Sequence, residues 1–99
     1  MATEKNISNA SRNPKIDPAV AAACKMEAAG ENDAAYNRAV DVLIAAKAAT
    51  LAGVLEQFKL YRGRVESVAD GDQLSAAGEA ELLAFGAAIE SALKRFATN

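Results

Sequence analysis

The acidic turn at residues 70–72 starts the one spacing in the chain that comes close to a metal-binding template. Asp70, Asp72 and Glu81 fall at positions 1, 3 and 12 of a calcium-binding loop. Positions 5 and 6 are Leu74 and Ser75, where calcium needs an oxygen ligand and the sharp turn needs glycine. We therefore interpret this segment as a solvated turn with helix caps, and we expect neither a metal ion nor any other cofactor.

Catalytic chemistry is disfavoured because the chain contains no histidine, the commonest general base and metal ligand. The single cysteine, Cys24, thus has no histidine to activate it as a nucleophile and no second cysteine for an internal disulfide. Glu79 and Glu81 are two residues apart and point to different sides of a helix. We predict a protein that is not an enzyme. The lone cysteine and the absence of a signal-peptide pattern favour a cytoplasmic location.

One basic cluster, at residues 59–64, could contact phosphate groups. Its three cations do not share one narrow helix face, and five acidic residues follow between positions 66 and 81. The formal net charge of -2 also opposes broad attraction to nucleic acid or anionic membrane. Nucleic-acid binding is therefore an alternative, in which the contacts would be Lys59, Arg62 and Arg64, with Lys5, Arg12 and Lys15 of the N-terminal segment.

Composition indicates closely packed helices. Apolar residues make up 52% of the chain but aromatic residues only 5%, and alanine, the strongest helix former, supplies much of the apolar total. No uncharged apolar stretch reaches the roughly 18 residues that a membrane span needs. We expect a soluble all-α protein with a flexible N-terminal arm at residues 1–16 and a single helical domain at residues 17–99.

A first, short helix is predicted to begin at Asp17-Pro18, since Asp favours the N-cap and Pro the first helical position. It should end near Gly30, a residue that suits the left-handed conformation after a helix. Its apolar stripe is weak. The side chains expected to be buried are Val20, Cys24 and either Met26 or Ala28.

A second helix is predicted from Asn32 to Ala69, a length of roughly 57 Å at about 1.5 Å per residue. Lys47 and Thr50 break its apolar stripe at the centre, and Gly53 or Gly63 could interrupt the helix. A continuous helix is favoured, because isolated glycines are tolerated at about 1 kcal/mol each. The stripe, with helical spacing, consists of Tyr36, Val40, Leu43, Ile44, Leu51, Val54, Leu55, Phe58, Tyr61, Val65 and Val68.

A third helix should follow the turn, with Asp72 or Ser75 as its cap and its end near Ala97. Its stripe is Leu74, Leu82, Phe85, Ile89, Leu93 and Phe96. Short connections make neighbouring helices antiparallel. The predicted fold is thus an antiparallel helical hairpin of two long helices plus a short N-terminal helix, with completion by dimerisation as one option.

The N-terminal part of the long helix lies beyond the reach of the third helix. Either the first helix or a second copy of the chain would cover it. The candidate partner-binding residues are therefore Tyr36, Val40, Leu43, Ile44 and Lys47.

Both long helices also carry more small apolar residues than one helix–helix seam needs. We predict a non-enzymatic protein–protein interaction module, a homodimer or a small adaptor or inhibitor such as bacterial or phage accessory proteins. The alternatives are a nucleic-acid-associated regulator and a structural subunit of a particle or filament.

Overall fold

Four helices make up most of the part of the chain that the structure, a computed structural model, describes, namely residues 13–97. In chain order they are α1 (Pro18–Ala29), α2 (Asp33–Ala45), α3 (Leu51–Ala69) and α4 (Ala76–Ala97). The described residues contain no strand, so the all-α prediction is confirmed. Residues 1–12 of the predicted N-terminal arm lie outside the described residues.

Local capping signals set the bounds of α1. The carboxylate of Asp17 accepts a hydrogen bond of 2.9 Å from the backbone N–H of Ala19, and Pro18 is the first helical residue. Gly30 ends the helix with φ of +56°, a region that favours glycine. Residues 13–16 form a turn that leads into α1, in which the Ile16 N–H donates to the Asn13 carbonyl at 3.0 Å.

The predicted single helix from Asn32 to Ala69 is wrong, because the chain leaves the helical conformation at residues 46–50. The N-terminal cap at Asn32 and the end at Ala69 are both confirmed. Gly53 and Gly63, the positions considered for an interruption, both lie inside α3. Ala46 is extended, with φ of -68° and ψ of 144°, and Thr50 caps α3 by accepting a hydrogen bond from the Gly53 N–H. The largest dimension of the molecule is accordingly 44 Å.

Helix α4 begins after Ser75, whose hydroxyl accepts a 3.0 Å hydrogen bond from the Gly78 N–H. It packs on α3 through an edge-to-face contact between Tyr61 and Phe85, with ring centroids 6.1 Å apart. A Cβ atom at Gly86 would lie only 3.0 Å from the Tyr61 ring, so the missing side chain is what allows this close approach.

The core joins all four helices and is built largely from small residues. Packing of α1 on α2 and on α3 buries Val20 and Leu43 almost completely. Of the other residues expected to be buried in α1, Cys24 and Met26 are half-buried and Ala28 is exposed. The core cluster consists of Ala19, Ala22, Leu43, Ala48, Val54, Phe85, Ile89 and Ala92.

The inner side of α3 differs from the predicted apolar stripe. Gly53, Val54, Glu56 and Gln57 are the buried residues of this helix. Five members of the predicted stripe on α3 are exposed instead, namely Leu51, Leu55, Phe58, Val65 and Val68. The core-facing side of α3 thus combines Val54, Leu60 and Tyr61 with the small or polar residues Gly53, Glu56 and Gln57.

Candidate protein-interaction surface

A buried carboxylate joins two helix N-termini and thereby orients α3 relative to α1. Asp17 is fully buried and caps α1. Its Oδ2 atom accepts a 2.8 Å hydrogen bond from the backbone N–H of Thr50 and a 2.6 Å bond from the Thr50 hydroxyl. Thr50 is itself the cap of α3. One side chain therefore stabilises the starts of two helices that are 33 residues apart in the chain.

The environment of Asp17 has opposing effects on its pKa. Burial raises the pKa, but hydrogen bonds from the Thr50 hydroxyl and from the backbone at Ala19, Ala49 and Thr50 lower it, and the net change is downward from 3.8. Hydrogen bonds to a carboxylate favour its charged form. Because its oxygens are engaged in these bonds, Asp17 acts as a structural residue.

The end of α2 is held by a second buried polar side chain, Gln57 of α3. Its amide nitrogen donates to the carbonyl oxygens of Leu43 at 3.0 Å and of Ala46 at 2.8 Å. Carbonyls at a helix C-terminus lack the usual i+4 donor. Gln57 is a donor to two of them, and the Leu43 carbonyl also accepts a 3.4 Å hydrogen bond from the backbone N–H of Ala46. Together with Asp17, it keeps the chain non-helical at residues 46–50.

An exposed apolar surface lies where α3 and α4 meet. Three of its large side chains are Phe58, Leu83 and Leu93, which are 44%, 67% and 47% exposed. They line one shallow groove of about 420 Å³ together with Gly86 and Ala87. We call Phe58, Leu83, Gly86, Ala87 and Leu93 the outer face.

Two further exposed leucines extend this apolar character along α3. Leu51 and Leu55 are 58% and 51% exposed, and they precede Phe58 at spacings of seven and three residues, which places all three on one side of the helix. Single exposed leucines are ordinary in folded proteins, whereas a cluster of large apolar side chains marks an interaction surface. The outer face is therefore the strongest candidate functional surface among residues 13–97.

The residues predicted to bind a partner occupy different environments. Val40 and Leu43 are buried within the chain, and Ile44 packs against the core as a half-buried side chain. Tyr36 is 40% exposed, and Lys47 is exposed in the segment between α2 and α3. Helix α1 thus covers the face of α2 that contains Val40 and Leu43.

A groove of about 580 Å³ brings residues of the two predicted sites together. Tyr36 and Leu43 of the partner-binding set line it, and so do Lys59 and Arg64 of the basic set. Two acidic residues, Glu27 and Glu56, line the same groove. Because the two acids balance the two cations, the groove has no net preference for an anionic or a cationic ligand.

The basic segment of α3 is largely neutralised by its own helix. Lys59 forms an ion pair with Glu56 at 3.7 Å, and Arg62 forms one with Glu66 at 3.5 Å. Arg64 lines a further groove with Asp41 and Glu81, while Lys15 of the predicted arm is exposed.

Metal-binding clusters and membrane-spanning helices are both absent from residues 13–97. No group of three or more His, Cys, Asp or Glu side chains is placed to hold a metal ion in this part of the chain. None of the helices described is long and apolar enough to cross a membrane. Comparison with protein-family models, curated proteins and solved structures found no match to this chain.

Sequence reasoning missed the outer face because it assigned Phe58 and Leu93 to the interior and gave no role to Leu83. A signal for it was present in α4. Leu82 and Leu83 are adjacent, so a helix cannot bury both on one narrow face. In the structure Leu82 is half-buried and Leu83 is exposed.

Proposed function

We propose that this chain is a non-enzymatic protein–protein interaction module that self-associates through the outer face. The observation that supports this most directly is the shared exposure of Phe58, Leu83 and Leu93 around one groove. Removing apolar surface from water contributes roughly 25 cal/mol per Å². A second molecule that covered these side chains would supply the apolar contacts that the chain itself does not provide.

The proposed architecture is an antiparallel hairpin of α3 and α4 that a second copy completes. Two contacts support the hairpin: Tyr61 meets Phe85 midway along the helices, and the Arg95 guanidinium approaches the Ala48 carbonyl at 3.4 Å near the start of α3. One side of α4 in this hairpin packs on α3. The opposite side, which includes Ala84, Ala87 and Ala88, is exposed.

Small residues on the exposed side of α4 support helix–helix contact with a partner. An alanine adds little bulk, so a second helix can approach the backbone closely, while the neighbouring leucines provide apolar area. Ala84 and Ala87 are exposed beside Leu83. The combination is typical of surfaces that pack against another helix rather than against a small molecule.

The proposal of a non-enzymatic role rests on the types of side chain that the sequence contains and on the contacts of its buried carboxylates. The chain has no histidine. Of its two buried carboxylates among residues 13–97, Asp17 caps two helices and Glu56 forms an ion pair with Lys59. Of the alternatives, nucleic-acid binding has less support, because Lys59 and Arg62 are already in ion pairs. An adaptor or inhibitor that binds a different protein in the cytoplasm, or a subunit of a larger particle, would use the same outer face.

Sedimentation velocity of the full chain across a wide concentration range tests self-association. We expect a concentration-dependent dimer for the natural sequence, and a monomer for Leu83→Asp because a charge on the outer face opposes burial. Val42→Asp is the matched control, since Val42 is 54% exposed on α2 and lies outside the outer face. Circular dichroism should show equal helicity for both variants.

Two outcomes would overturn self-association: a natural sequence that stays monomeric at every concentration, or a Leu83→Asp variant that dimerises as strongly as the natural sequence. The adaptor alternative then has its own test. Affinity capture from the native host should retain a partner with the natural sequence and with Val42→Asp, but not with Leu83→Asp.

A further inference from the structure

We propose that the occupant of the outer face is α4 of a second copy, lying antiparallel about a two-fold axis between Gly86 and Ala87. This inference rests on the proposed self-association and specifies its geometry. It follows from the order of residue types along the exposed side of α4, which is self-complementary when the helix is reversed.

The side of α4 in question consists of adjacent or single residues that recur every three or four positions, as a single broad helix face requires. All are exposed except Gly86, which is half-buried. From the N-terminal to the C-terminal end, they are Glu79, Ala80, Leu83, Gly86, Ala87, Glu90, Leu93 and Lys94.

Charge decides between the two possible directions. Glu79 lies in the first turn of α4 and Lys94 in its last turn. In a parallel pair, each would face the same residue of the second copy, and like charges placed opposite each other disfavour association. An antiparallel pair centred between residues 86 and 87 places Glu79 opposite Lys94 of the second copy, and it does so twice by symmetry. Lys94 also pairs with Glu90 of its own helix at 3.4 Å, so its ammonium would lie between the two carboxylates.

The sizes of the side chains that would face each other across this two-fold axis are also compatible with an antiparallel pair. An axis between Gly86 and Ala87 brings Ala87, a small exposed residue, to the crossing point, while the side of Gly86 that lacks a Cβ atom is covered by Tyr61 of its own chain. It places Leu93 opposite Ala80 of the second copy, a large side chain against a small one. Leu83 falls opposite Glu90, whose carboxylate is already paired with Lys94 of its own helix at 3.4 Å, so that its methylene groups can cover the leucine.

Helix α3 also contributes side chains to the outer face, which is therefore formed by two helices. Phe58 lines the groove beside Leu83 and Leu93, and Tyr61 contacts Gly86 from the inner side. A second α4 helix laid along the first would therefore also cover Phe58. The symmetric arrangement closes on itself, because each copy offers one such face and receives one such helix.

Disulfide cross-linking of the full chain tests this geometry, in a background where Cys24→Ala removes the natural thiol. In the antiparallel pair, the two copies of residue 87 are adjacent, so Ala87→Cys should form a disulfide-linked dimer under mild oxidation. The matched control is Ala80→Cys, on the same side of the same helix. Its two copies would lie roughly 20 Å apart along the helix, at about 1.5 Å per residue, and should not cross-link.

Each result has a distinct meaning. Efficient cross-linking of Ala87→Cys but not of Ala80→Cys supports the antiparallel pair. Comparable cross-linking of both variants indicates a parallel pair and overturns the inference. A sedimentation dimer that is lost in Leu83→Asp but shows no cross-link at residue 87 also overturns it, while self-association through the outer face stands. A monomer in sedimentation overturns both proposals.

Charge exchange gives a second test that does not depend on oxidation. Glu79→Lys alone and Lys94→Glu alone should each raise the dimer dissociation constant severalfold, because both create like-charge pairs. The double variant, Glu79→Lys with Lys94→Glu, should restore it close to the natural value. If the double variant dimerises as weakly as the two single substitutions together would predict, the proposed pairing of these residues is contradicted.

Discussion

Oδ2 of Asp17 accepts hydrogen bonds from both the backbone N–H and the hydroxyl of Thr50, so that one buried carboxylate caps α1 and holds the cap of α3. Two helix N-termini, each with a partial positive charge, therefore converge on one negative group. This relationship explains why an alanine-rich segment without proline or glycine is not helical at residues 46–50, and why α3 packs against α1.

Removal of the Asp17 carboxylate should destabilise the fold. Asp17→Ala deletes the α1 cap and leaves the Thr50 donors without their acceptor, and we expect the free energy of unfolding to fall by about 2–4 kcal/mol. Urea denaturation followed by circular dichroism measures this change. Asp72→Ala, at an exposed turn position, is the control and should change stability by less than about 0.5 kcal/mol. Equal effects of the two substitutions would contradict the structural role of Asp17.

Stability should depend on pH through the same group. Since the pKa of Asp17 in the folded chain lies below its ordinary value of 3.8, its contribution to stability is fully present above 3.8 and is lost as the pH falls through the folded value. Asp17→Asn removes this titration. The difference in unfolding free energy between the natural sequence and Asp17→Asn should thus be constant near neutral pH and shrink below 3.8. A difference that does not change with pH would contradict the lowered pKa.

The sequence predicts those parts of the fold that depend on short-range signals. The caps at Asp17 and Asn32, the end of α3 at Ala69 and the start of α4 after Ser75 all follow from residue type and local spacing. The break at residues 46–50 is different, because Asp17 and Gln57 impose it through hydrogen bonds from distant positions. Alanine-rich sequence there favours helix on its own, and only Lys47 and Thr50 in the apolar stripe hinted at an interruption.

The sequence did not predict the outer face for a related reason. A stripe of leucine, valine and aromatic residues normally indicates the buried side of a helix. On α3 only Val54 and Tyr61 of the predicted stripe contact the core, and the other five members are exposed. The orientation of α3 is set by close approach at Gly53 and by the buried amide of Gln57. Neither effect can be inferred from apolar spacing alone, so the exposure of Phe58 and Leu55 becomes visible only in three dimensions.

Alanine substitutions at two glycines of α3 should change the free energy of unfolding in opposite directions. Within a helix, glycine is less favourable than alanine by about 1 kcal/mol, and a Cβ atom at Gly63 would meet nothing within 4 Å. Gly63→Ala should therefore stabilise the protein by about 0.5–1 kcal/mol. A Cβ atom at Gly53 would lie 2.6 Å from Cγ of Asp17, which its hydrogen bonds hold in place, so Gly53→Ala should destabilise by about 1–3 kcal/mol.

Thermal denaturation of both glycine variants under one set of conditions provides the comparison. The transition temperature should rise for Gly63→Ala and fall for Gly53→Ala relative to the natural sequence. If Gly53→Ala were also stabilising, helix propensity would outweigh the contact with Asp17, and the packing of α3 on α1 at this position would be looser than the structure shows.

Loss of the Gln57 amide should destabilise the C-terminal turn of α2. Gln57→Met keeps the length and much of the volume of the side chain. It takes away the side-chain donor of the Ala46 carbonyl and one of the two donors of the Leu43 carbonyl, which should cost about 1–3 kcal/mol. The control is Gln73→Met at an exposed position, expected to change stability by less than about 0.5 kcal/mol. Hydrogen exchange locates the effect: amide protection should fall most in the last turn of α2. Uniform loss of protection across all four helices would instead indicate that Gln57 supports the fold as a whole.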